Sequence, residues 1–456
     1  MNALGEIKRP GRWLFVIIAA SVILRIAAAI YMGNRVEILP GIFDQISYDA
    51  LARRVMEGYG FSFAGQWWPL TAAGEPTAHW SYIYTLYLTA LYSLFGPNPV
   101  VARLIQAVIV GVAHPYIAYR LGSQVFGQKT GLLAAAFTAI YIYFIYYSAA
   151  LMTEPFYMTA ILAILYGLVR LRDVARGAEL RWALAVGLGM GVAVLLRQLF
   201  LLIIPFLLAW LWGMRFWDAR PVQDPARTTT TGNGGAKGFL RSPYVPWRSS
   251  IVIIGIVAAM TLPFTLYNYS RFDRFVLLNT NAGFAFFWAN HPVYGTRFQA
   301  ILPPELGTYQ NLIPAELREL DEPALEQALL ARGLQFVADD PGRYIRLSIS
   351  RIPVYFMFWP SADSGKASNI SRVGSFGLFM PLMLAGLVTS LINRNIRRRS
   401  LGESLLLILF AALYSAVHIL TWSMVRYRLP VDAVLLVYAG LAGAVVWTKL
   451  EHRWRK

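Results

Sequence analysis

The stretch WLFVIIAASVILRIAAAIY, residues 13–31, decides the fold class of this chain. It is an apolar run of the length that crosses the hydrocarbon core of a bilayer, which takes roughly 18 to 20 residues. Further apolar runs follow to the C-terminal end, and 57% of the 456 residues are hydrophobic while only 14% are charged. Because a secretory signal would precede a soluble domain, we interpret residues 13–31 as a retained span. The sequence therefore predicts an all-α polytopic membrane protein.

The chain is strongly basic, with 41 Lys and Arg against 24 Asp and Glu and a formal net charge of +17. Such a balance can indicate nucleic-acid binding, but here the basic residues lie in short runs between apolar segments, as topology signals do. We therefore expect membrane lipids and no nucleic acid as partners. The absence of cysteine excludes disulfides, thiolate metal sites and thiol catalysis. The basic runs are Lys8, Arg9 and Arg12; Arg394, Arg397, Arg398 and Arg399; and Arg453, Arg455 and Lys456.

The orientation of the spans follows from the positive-inside rule. With the N-terminus in the cytoplasm, the basic segments RLGSQVFGQK and RLRDVARGAELR also lie inside, and the chain crosses about ten times. The predicted spans are residues 13–31, 100–119 and 131–150, one that opens at Glu154, two within 182–212, and residues 250–267, 375–392, 404–421 and 430–447.

Two further apolar segments cannot cross if this parity holds. They are HWSYIYTLYLTALYSLFG, residues 79–96, and residues 344–360, and we expect both to be interfacial helices. Residues 214–249 are rich in Gly, Pro and Thr and predict a flexible cytoplasmic linker. Residues 268–374 predict an extracytoplasmic loop region with a helix in DEPALEQALLARGLQFVADDPG.

In this topology a group of charged and polar residues falls on the outer face, although the sequence separates them widely. No nucleotide-binding Gly-rich loop is present, and nucleotide-activated substrates are scarce outside the cytoplasmic membrane, so an activated sugar would arrive on a lipid such as polyprenyl phosphate. Its cleavage releases a phosphate monoester with a second pKa of about 6, which can leave without a general acid. The chemistry needs a carboxylate to accept the acceptor's proton and cations to hold the phosphate. The outer-face residues are Asp44, Glu154, His291, Arg426 and Arg428.

Four segments resemble the pattern of bacterial glycosyltransferase family 39: FDQISYDALA, ALMTEPFY, RFDRFVLLNTNAGFAFFWANHP and VRYRLPV. That family has the GT-C fold and includes protein O-mannosyltransferases and the aminoarabinose transferase that acts on lipid A. The resemblance implies an inverting transfer of a sugar from polyprenyl phosphate to an acceptor hydroxyl at the extracytoplasmic face of the cell membrane. Asp44 resembles the family's base and Glu154 its second acidic site residue. Gln45 stands where the family often has a second acid, and HWSYIY replaces its PPLYP stretch.

The resemblance also divides the chain into three parts and extends the candidate site. Residues 1–267 form the catalytic transmembrane module, whose first outer loop is 33–99; residues 268–374 are the extracytoplasmic region; and residues 375–456 are the C-terminal spans. The acceptor is left open between a glycan, a lipid and a protein. No cluster has metal-ligand spacing, and the resemblance leaves a divalent ion open. We expect Arg426, Arg428 and Arg197 to bind the donor phosphate, and Tyr48, Asp49, His79, Asn290 and His291 to bind substrate.

Several of these residues also have a structural explanation. Asp44 stands where an N-cap would begin the helix QISYDALARRVME, a role compatible with that of a base. Asp49 fits an i,i+4 ladder with Arg53 and Glu57. Glu154 opens a helix, where a carboxylate favourably meets the helix dipole.

The alternative function is that of a polytopic transporter or flippase for a lipid-linked or small solute. Transporters tend to have inverted repeats, paired broken helices and polar residues at the bilayer midplane. The polar residues of this chain gather at one face instead, which favours the enzyme.

Overall fold

A computed structural model describes residues 9–173, 178–218, 246–362 and 364–454 of the chain. Within these ranges the regular structure is helical, apart from two isolated β-bridges, so the all-α prediction is confirmed. Most of the predicted linker, and the basic residues Lys8, Arg455 and Lys456, lie outside the described residues. The α-helices are α1 Pro10–Met32, α2 Gln45–Met56, α3 Tyr82–Phe95, α4 Pro99–Phe126, α5 Gln128–Ile140, α6 Ile142–Ala149, α7 Glu154–Asp173, α8 Glu179–Leu196, α9 Ile204–Asp218, α10 Pro246–Phe272, α11 Ala282–Asn290, α12 Glu322–Asp339, α13 Pro341–Tyr355, α14 Lys366–Arg372, α15 Leu378–Ile392, α16 Arg394–Leu420 and α17 Leu429–Trp454.

Eight helical segments in the described ranges are long and apolar enough to cross a membrane. They are α1, α4, α7, α8, α10, the joined α14 and α15, α16 and the segment Val425–Arg453 that contains α17. Helices α5 and α6 form a further apolar pair that is bent by 54°. The remaining predicted span falls on a shorter apolar helical segment, Gln198–Met214. Each predicted span thus lies on a helix, as expected where backbone polar groups have no water to bind, and the chain is a multi-pass membrane protein.

Helix α17 is the central helix of the bundle and α1 is a peripheral one. In α17, 78% of the apolar window is buried by the rest of the protein, compared with 17% in α1. The break between α5 and α6 falls at Tyr141, whose hydroxyl donates a hydrogen bond to Asp432 of α17 over 2.7 Å. This bond fixes the first turn of α17, and Arg426 lies in the 3₁₀ turn that precedes the helix.

The two helices predicted to lie in the interface are too short to span a bilayer upright. Helix α3 has 14 residues and α13 has 15, so they measure about 21 and 23 Å against a hydrocarbon core of about 30 Å. Helix α13 is amphipathic: Leu347 and Tyr355 are buried, whereas Ile345 and Ile349 are exposed. An exposed apolar stripe on one face is typical of a helix that lies on a membrane.

Residues between α10 and α14 fold over one end of the bundle and have a core of their own, which is Phe284, Phe287, Trp288, Ile313, Leu325 and Leu329. This region is joined to the segment between α2 and α3 through the Glu322 carboxylate. That carboxylate accepts hydrogen bonds from the Thr71 hydroxyl at 3.0 Å, the Ala78 amide at 2.8 Å and the Thr280 hydroxyl at 2.5 Å. Glu322 therefore links the start of α12 to residues 71–78 and to Thr280.

Candidate active site

The first feature of the site is an ion pair between Asp44 and Arg426. Asp44 Oδ2 lies 2.9 Å from Arg426 Nη1, and the two side chains are 26% and 11% exposed. Asp44 directly precedes α2, while Arg426 lies in the short 3₁₀ turn that leads into α17. Arg426 Nη1 also donates to the Gly41 carbonyl over 3.3 Å. The arginine thus fixes both the side chain and the loop that carries it.

A second ion pair joins Arg197 to Glu154. Arg197 Nη2 lies 2.5 Å from Glu154 Oε1, and the glutamate side chain is only 2% exposed. Arg197 lies between α8 and the following 3₁₀ turn, where the backbone is extended, and Glu154 is the first residue of α7. A carboxylate this buried needs a cationic partner because its charge has lost its water.

The aromatic ring of Tyr427 connects the two ion pairs. The guanidinium carbons of Arg197 and Arg426 lie 5.4 and 5.1 Å from its centroid, within the range of cation–π attraction. The ring also stacks on His418 of α16 at 4.8 Å between centroids. Two cations, each paired with a carboxylate, are therefore brought together around one ring.

Tyr48 lies one helical turn after Asp44 and packs against aromatic side chains. Its ring makes edge contacts with Trp80 at 5.5 Å and Tyr84 at 4.9 Å, and its hydroxyl accepts a hydrogen bond from the Ser81 amide at 3.4 Å. Burial and then the negative charge of Asp44 raise the pKa of the Tyr48 hydroxyl, so the side chain is neutral.

His79 is buried among aromatic rings close to Tyr48. Its ring contacts Trp68, Trp80 and Phe284 at centroid distances of 5.3 to 5.4 Å. Burial lowers the pKa of His79 to about 4, against the opposing effect of the Asp44 charge. His79 is therefore neutral at pH 7, and its Nδ1 has no hydrogen-bond partner among the described residues.

Arg428 does not join this group, although only Tyr427 separates it from Arg426 in sequence. Its side chain is completely buried, paired with Asp432 at 2.9 Å, and donates to the Tyr355 carbonyl over 2.7 Å. A donor phosphate could reach it only by displacing these contacts. We therefore do not retain the expectation that Arg428 binds the donor phosphate, and interpret it as an anchor of α17.

Asp49 also has structural partners. Its carboxylate pairs with Arg53 at 2.9 Å and accepts a hydrogen bond from the Tyr92 hydroxyl at 2.6 Å. The predicted i,i+4 interaction with Arg53 is therefore confirmed. Both carboxylate oxygens of Asp49 are thus engaged within the protein.

Asn290 and His291 take part in the packing of the region between α10 and α14. Asn290 Oδ1 accepts a hydrogen bond from Arg351 at 2.8 Å, and His291 Nδ1 accepts one from the Val293 amide at 3.2 Å. Burial and the nearby charges of Arg343 and Arg332 lower the pKa of His291 to about 4. Their expected role in substrate binding has no support from these contacts.

Asp44 occupies the N-cap position of α2, as expected, but its side chain does not cap the helix. Its backbone is helical, with φ −66° and ψ −17°, and its side chain accepts no capping hydrogen bond. Arg426 is its partner instead. Sequence reasoning also missed Tyr427, for which the only signal was an aromatic residue between two arginines in VRYRLP.

The side chains of this site do not form a set of ligands that fits a metal ion. No group of three His, Cys, Asp or Glu side chains in the described part of the chain is arranged to hold one. Asp44 and Glu154 each face an arginine, whose charge would oppose a second cation. We therefore derive no step through a metal.

Comparison with known proteins places this geometry in a wider context. The model of the family "Dolichyl-phosphate-mannose-protein mannosyltransferase" matches residues 81–223, less than half of the chain. No curated protein matches this chain significantly. The oligosaccharyltransferase AglB from Archaeoglobus fulgidus, in complex with an inhibitory peptide and a dolichol-phosphate, is similar with a TM-score of 0.60 and 18% identity over 97% of this chain and 51% of AglB. Its apo form is similar with a TM-score of 0.59 at the same identity, over 97% of this chain and 51% of the relative.

ArnT from Cupriavidus metallidurans bound to undecaprenyl phosphate is similar with a TM-score of 0.42 and 16% identity, over 96% of this chain and 79% of ArnT. The match to AglB, in contrast, shows that this chain spans only about half the length of the archaeal oligosaccharyltransferase that it resembles in fold. The family match confirms the resemblance to the mannosyltransferases, and the helical bundle of this chain has the GT-C fold.

Proposed function

We propose that this chain is an integral-membrane glycosyltransferase that moves a sugar from a polyprenyl-phosphate-linked donor to an acceptor hydroxyl at the extracytoplasmic face of the cell membrane. The observation that supports it most is the Asp44–Arg426 ion pair, with Arg197 on the same aromatic ring. It supplies one carboxylate and two guanidiniums, which are the groups that the reaction needs. Dolichol-phosphate in the similar archaeal structure agrees with a lipid-phosphate donor.

The proposed reaction is a single displacement. The acceptor oxygen attacks the anomeric carbon of the sugar, and the bond from that carbon to the phosphate oxygen breaks with its electrons left on the phosphate. The acceptor's proton passes to the Asp44 carboxylate. The product polyprenyl phosphate is a monoester with a second pKa of about 6, so it leaves as an anion without a protein acid. Attack opposite to the leaving phosphate inverts the anomeric configuration.

Arg426 has two anionic partners in this scheme. Without donor it pairs with Asp44. A bound donor phosphate competes for the same guanidinium, because arginine binds phosphate with two parallel hydrogen bonds. The exchange leaves the Asp44 carboxylate free to accept a proton, so the base is freed only when a donor is in place.

Arg197 has a different part in the proposal. It stays paired with Glu154, which is too buried to be left without a cation. Its positive charge lies over the Tyr427 ring and adds to the field that stabilises the leaving phosphate. Glu154 thus orients Arg197 rather than reacting itself.

The test is sugar transfer by purified protein supplied with polyprenyl phosphate sugar and candidate acceptors. Asp44→Asn keeps the shape of the side chain but cannot accept the proton, so kcat should fall by about 10² to 10⁴-fold. Asp49→Asn is the matched control, because Asp49 lies on the adjacent helix and already has Arg53 and Tyr92 as partners. Turnover by Asp44→Asn within a few-fold of wild type would mean that the base is another residue.

The same assay separates the enzyme from the transporter. An enzyme releases polyprenyl phosphate and forms a new glycosidic bond in detergent, where no compartments exist, whereas a flippase would leave the donor intact. Mass spectrometry of envelope glycans from a strain that lacks the gene would then show whether the acceptor is a glycan, a lipid or a protein.

A further inference from the structure

Three arginines form a cationic cluster at the start of α16, far from the candidate active site. Helix α16 begins after Asn393, whose side chain accepts hydrogen bonds from the amides of the second and third helical residues. Arg394, Arg397 and Arg398 follow at positions i, i+3 and i+4, which share one face of a helix. All three are exposed, and the cluster is independent of the proposed reaction.

The cluster faces away from the protein. On the other side of α16, Ile396 packs against the hydrophobic core and Ser400 is buried. Arg399 is also exposed, but it lies about 140° around the helix from Arg394, because successive residues are separated by about 100°. Three of the four arginines in this run therefore point in one direction, away from the bundle.

These three charges are unfavourable in the protein alone. Like charges at i,i+4 repel, and cations at the first turn of a helix meet the positive end of its dipole. Within the described residues no carboxylate forms an ion pair with any of the three; Arg397 donates to the Leu391 carbonyl over 3.3 Å. An external anion would relieve both effects.

The surface below the cluster is apolar and exposed. Leu401, Leu405 and Ala412 continue the face of α16 that carries the three arginines, and Leu405 and Ala412 are exposed. The residues at the end of α15, including Val388 and Ile392, are also exposed. Such residues in a membrane-spanning helix face lipid chains, so the guanidiniums lie at the level of the headgroups.

We propose that Arg394, Arg397 and Arg398 bind the phosphate of an anionic lipid headgroup whose acyl chains lie along Leu401, Leu405 and Ala412. Charge complementarity selects the phosphate and the apolar face below it selects a lipid over a free anion. Helix α16 has 27 residues and is about 40 Å long, so this site is at the opposite membrane face from Arg426.

Native mass spectrometry of the full-length protein in detergent tests the proposal, with phosphatidylglycerol and phosphatidylcholine as probes. Arg398→Gln should weaken the phosphatidylglycerol adducts about fivefold, since each arginine near a lipid surface contributes about that factor. Arg399→Gln removes the same charge from a different face and should leave them nearly unchanged. Arg394→Gln/Arg397→Gln/Arg398→Gln should abolish them without changing phosphatidylcholine binding.

Equal loss with Arg398→Gln and Arg399→Gln would show only a general response to charge and would overturn the site. So would retention of the adducts by the triple variant. Inorganic phosphate is the third probe: if it displaces phosphatidylglycerol at the concentration of lipid used, the cluster binds a free anion and the lipid assignment is wrong. The single variants keep the test valid if the triple variant does not fold.

Discussion

The Asp44 carboxylate and the Arg426 guanidinium form an ion pair at 2.9 Å, although one lies between the first two helices and the other just before the last helix. The central position of α17 makes this possible, because its first turn is held by the Arg428–Asp432 pair and the Tyr141 hydroxyl. The residue proposed as the base and the residue proposed to bind phosphate are thus each other's partners. Their functions should be coupled, and substitution of one should change what the other does.

Arg426→Gln should raise the donor KM by about 10-fold to 100-fold and lower kcat. A hydrogen bond to a charged group contributes about 1.5 to 3 kcal/mol, and the guanidinium charge is also lost in the transition state. Steady-state kinetics at varied donor concentration measures both parameters. Arg274→Gln is the control, because Arg274 forms an exposed ion pair with Asp321 at 3.0 Å. An unchanged donor KM in Arg426→Gln would show that the phosphate binds elsewhere.

Arg197→Gln should destabilise the protein by about 3 to 5 kcal/mol, because it leaves the Glu154 carboxylate buried without a cation. Arg197→Gln/Glu154→Gln should recover most of that loss, since the buried charge is then absent. Denaturant unfolding in detergent measures the free energies. Arg53→Gln breaks a pair whose arginine is 38% exposed and should cost no more than about 1 kcal/mol. If Arg197→Gln costs no more than Arg53→Gln, Glu154 does not depend on Arg197.

The spans could largely be predicted from sequence, because long apolar runs are sufficient to place them. The family resemblance indicates Asp44 and Glu154, the predicted topology indicates Arg197 and Arg426, and the structure brings the four together. Which residues pair was not predictable. In a 3₁₀ turn residues two apart point about 240° apart, so Arg426 and Arg428 face different sides, a fact that the letters RYR do not show.

The region between α10 and α14 was the least predictable part of the chain. Asn290 and His291 are polar residues in a predicted extracytoplasmic segment, which made them candidates for substrate binding. Their partners, Arg351 and the Val293 amide, are set by tertiary packing and by a local turn. A sequence gives no measure of whether a polar side chain already has partners within the protein; for Asp49 the spacing predicted the contact with Arg53 but not the one with Tyr92.

Glu322→Gln should remove a pH dependence from the stability of the protein. Burial raises the pKa of the Glu322 carboxyl, against the hydrogen bonds from Thr280, Ala78 and Thr71, which lower it. A folded-state pKa above the unfolded value of about 4.3 means that the folded protein binds this proton more tightly, so its stabilising effect is full at low pH and is lost as pH rises through the raised pKa. The difference in free energy of unfolding between wild type and Glu322→Gln should therefore fall as the pH rises from about 4 to about 8.

Denaturant unfolding at several pH values between those limits measures this difference. Glu316→Gln is the control, because it makes the same substitution at an exposed glutamate on a 3₁₀ turn of the same region. A difference that rises with pH would mean that the hydrogen bonds to Glu322 outweigh its burial.

Helix α3 should begin and end on the same side of the membrane. Its 14 residues are about 21 Å long, which is less than the hydrocarbon core. The chain has no cysteine, so Glu75→Cys before α3 and Pro97→Cys after it each introduce a single thiol at an exposed position. A membrane-impermeant maleimide added to intact cells should label both.

Asn395→Cys is the control for the opposite face, because it lies at the start of α16, about 40 Å along that helix from the end near Arg426. It should be labelled only after the membrane is permeabilised. If Pro97→Cys is labelled only after the membrane is permeabilised while Glu75→Cys is labelled directly, α3 crosses the bilayer. The parity of every later span would then reverse, and the Asp44–Arg426 pair, whose two residues lie on either side of α3 in the chain, could not be reconciled with ten crossings.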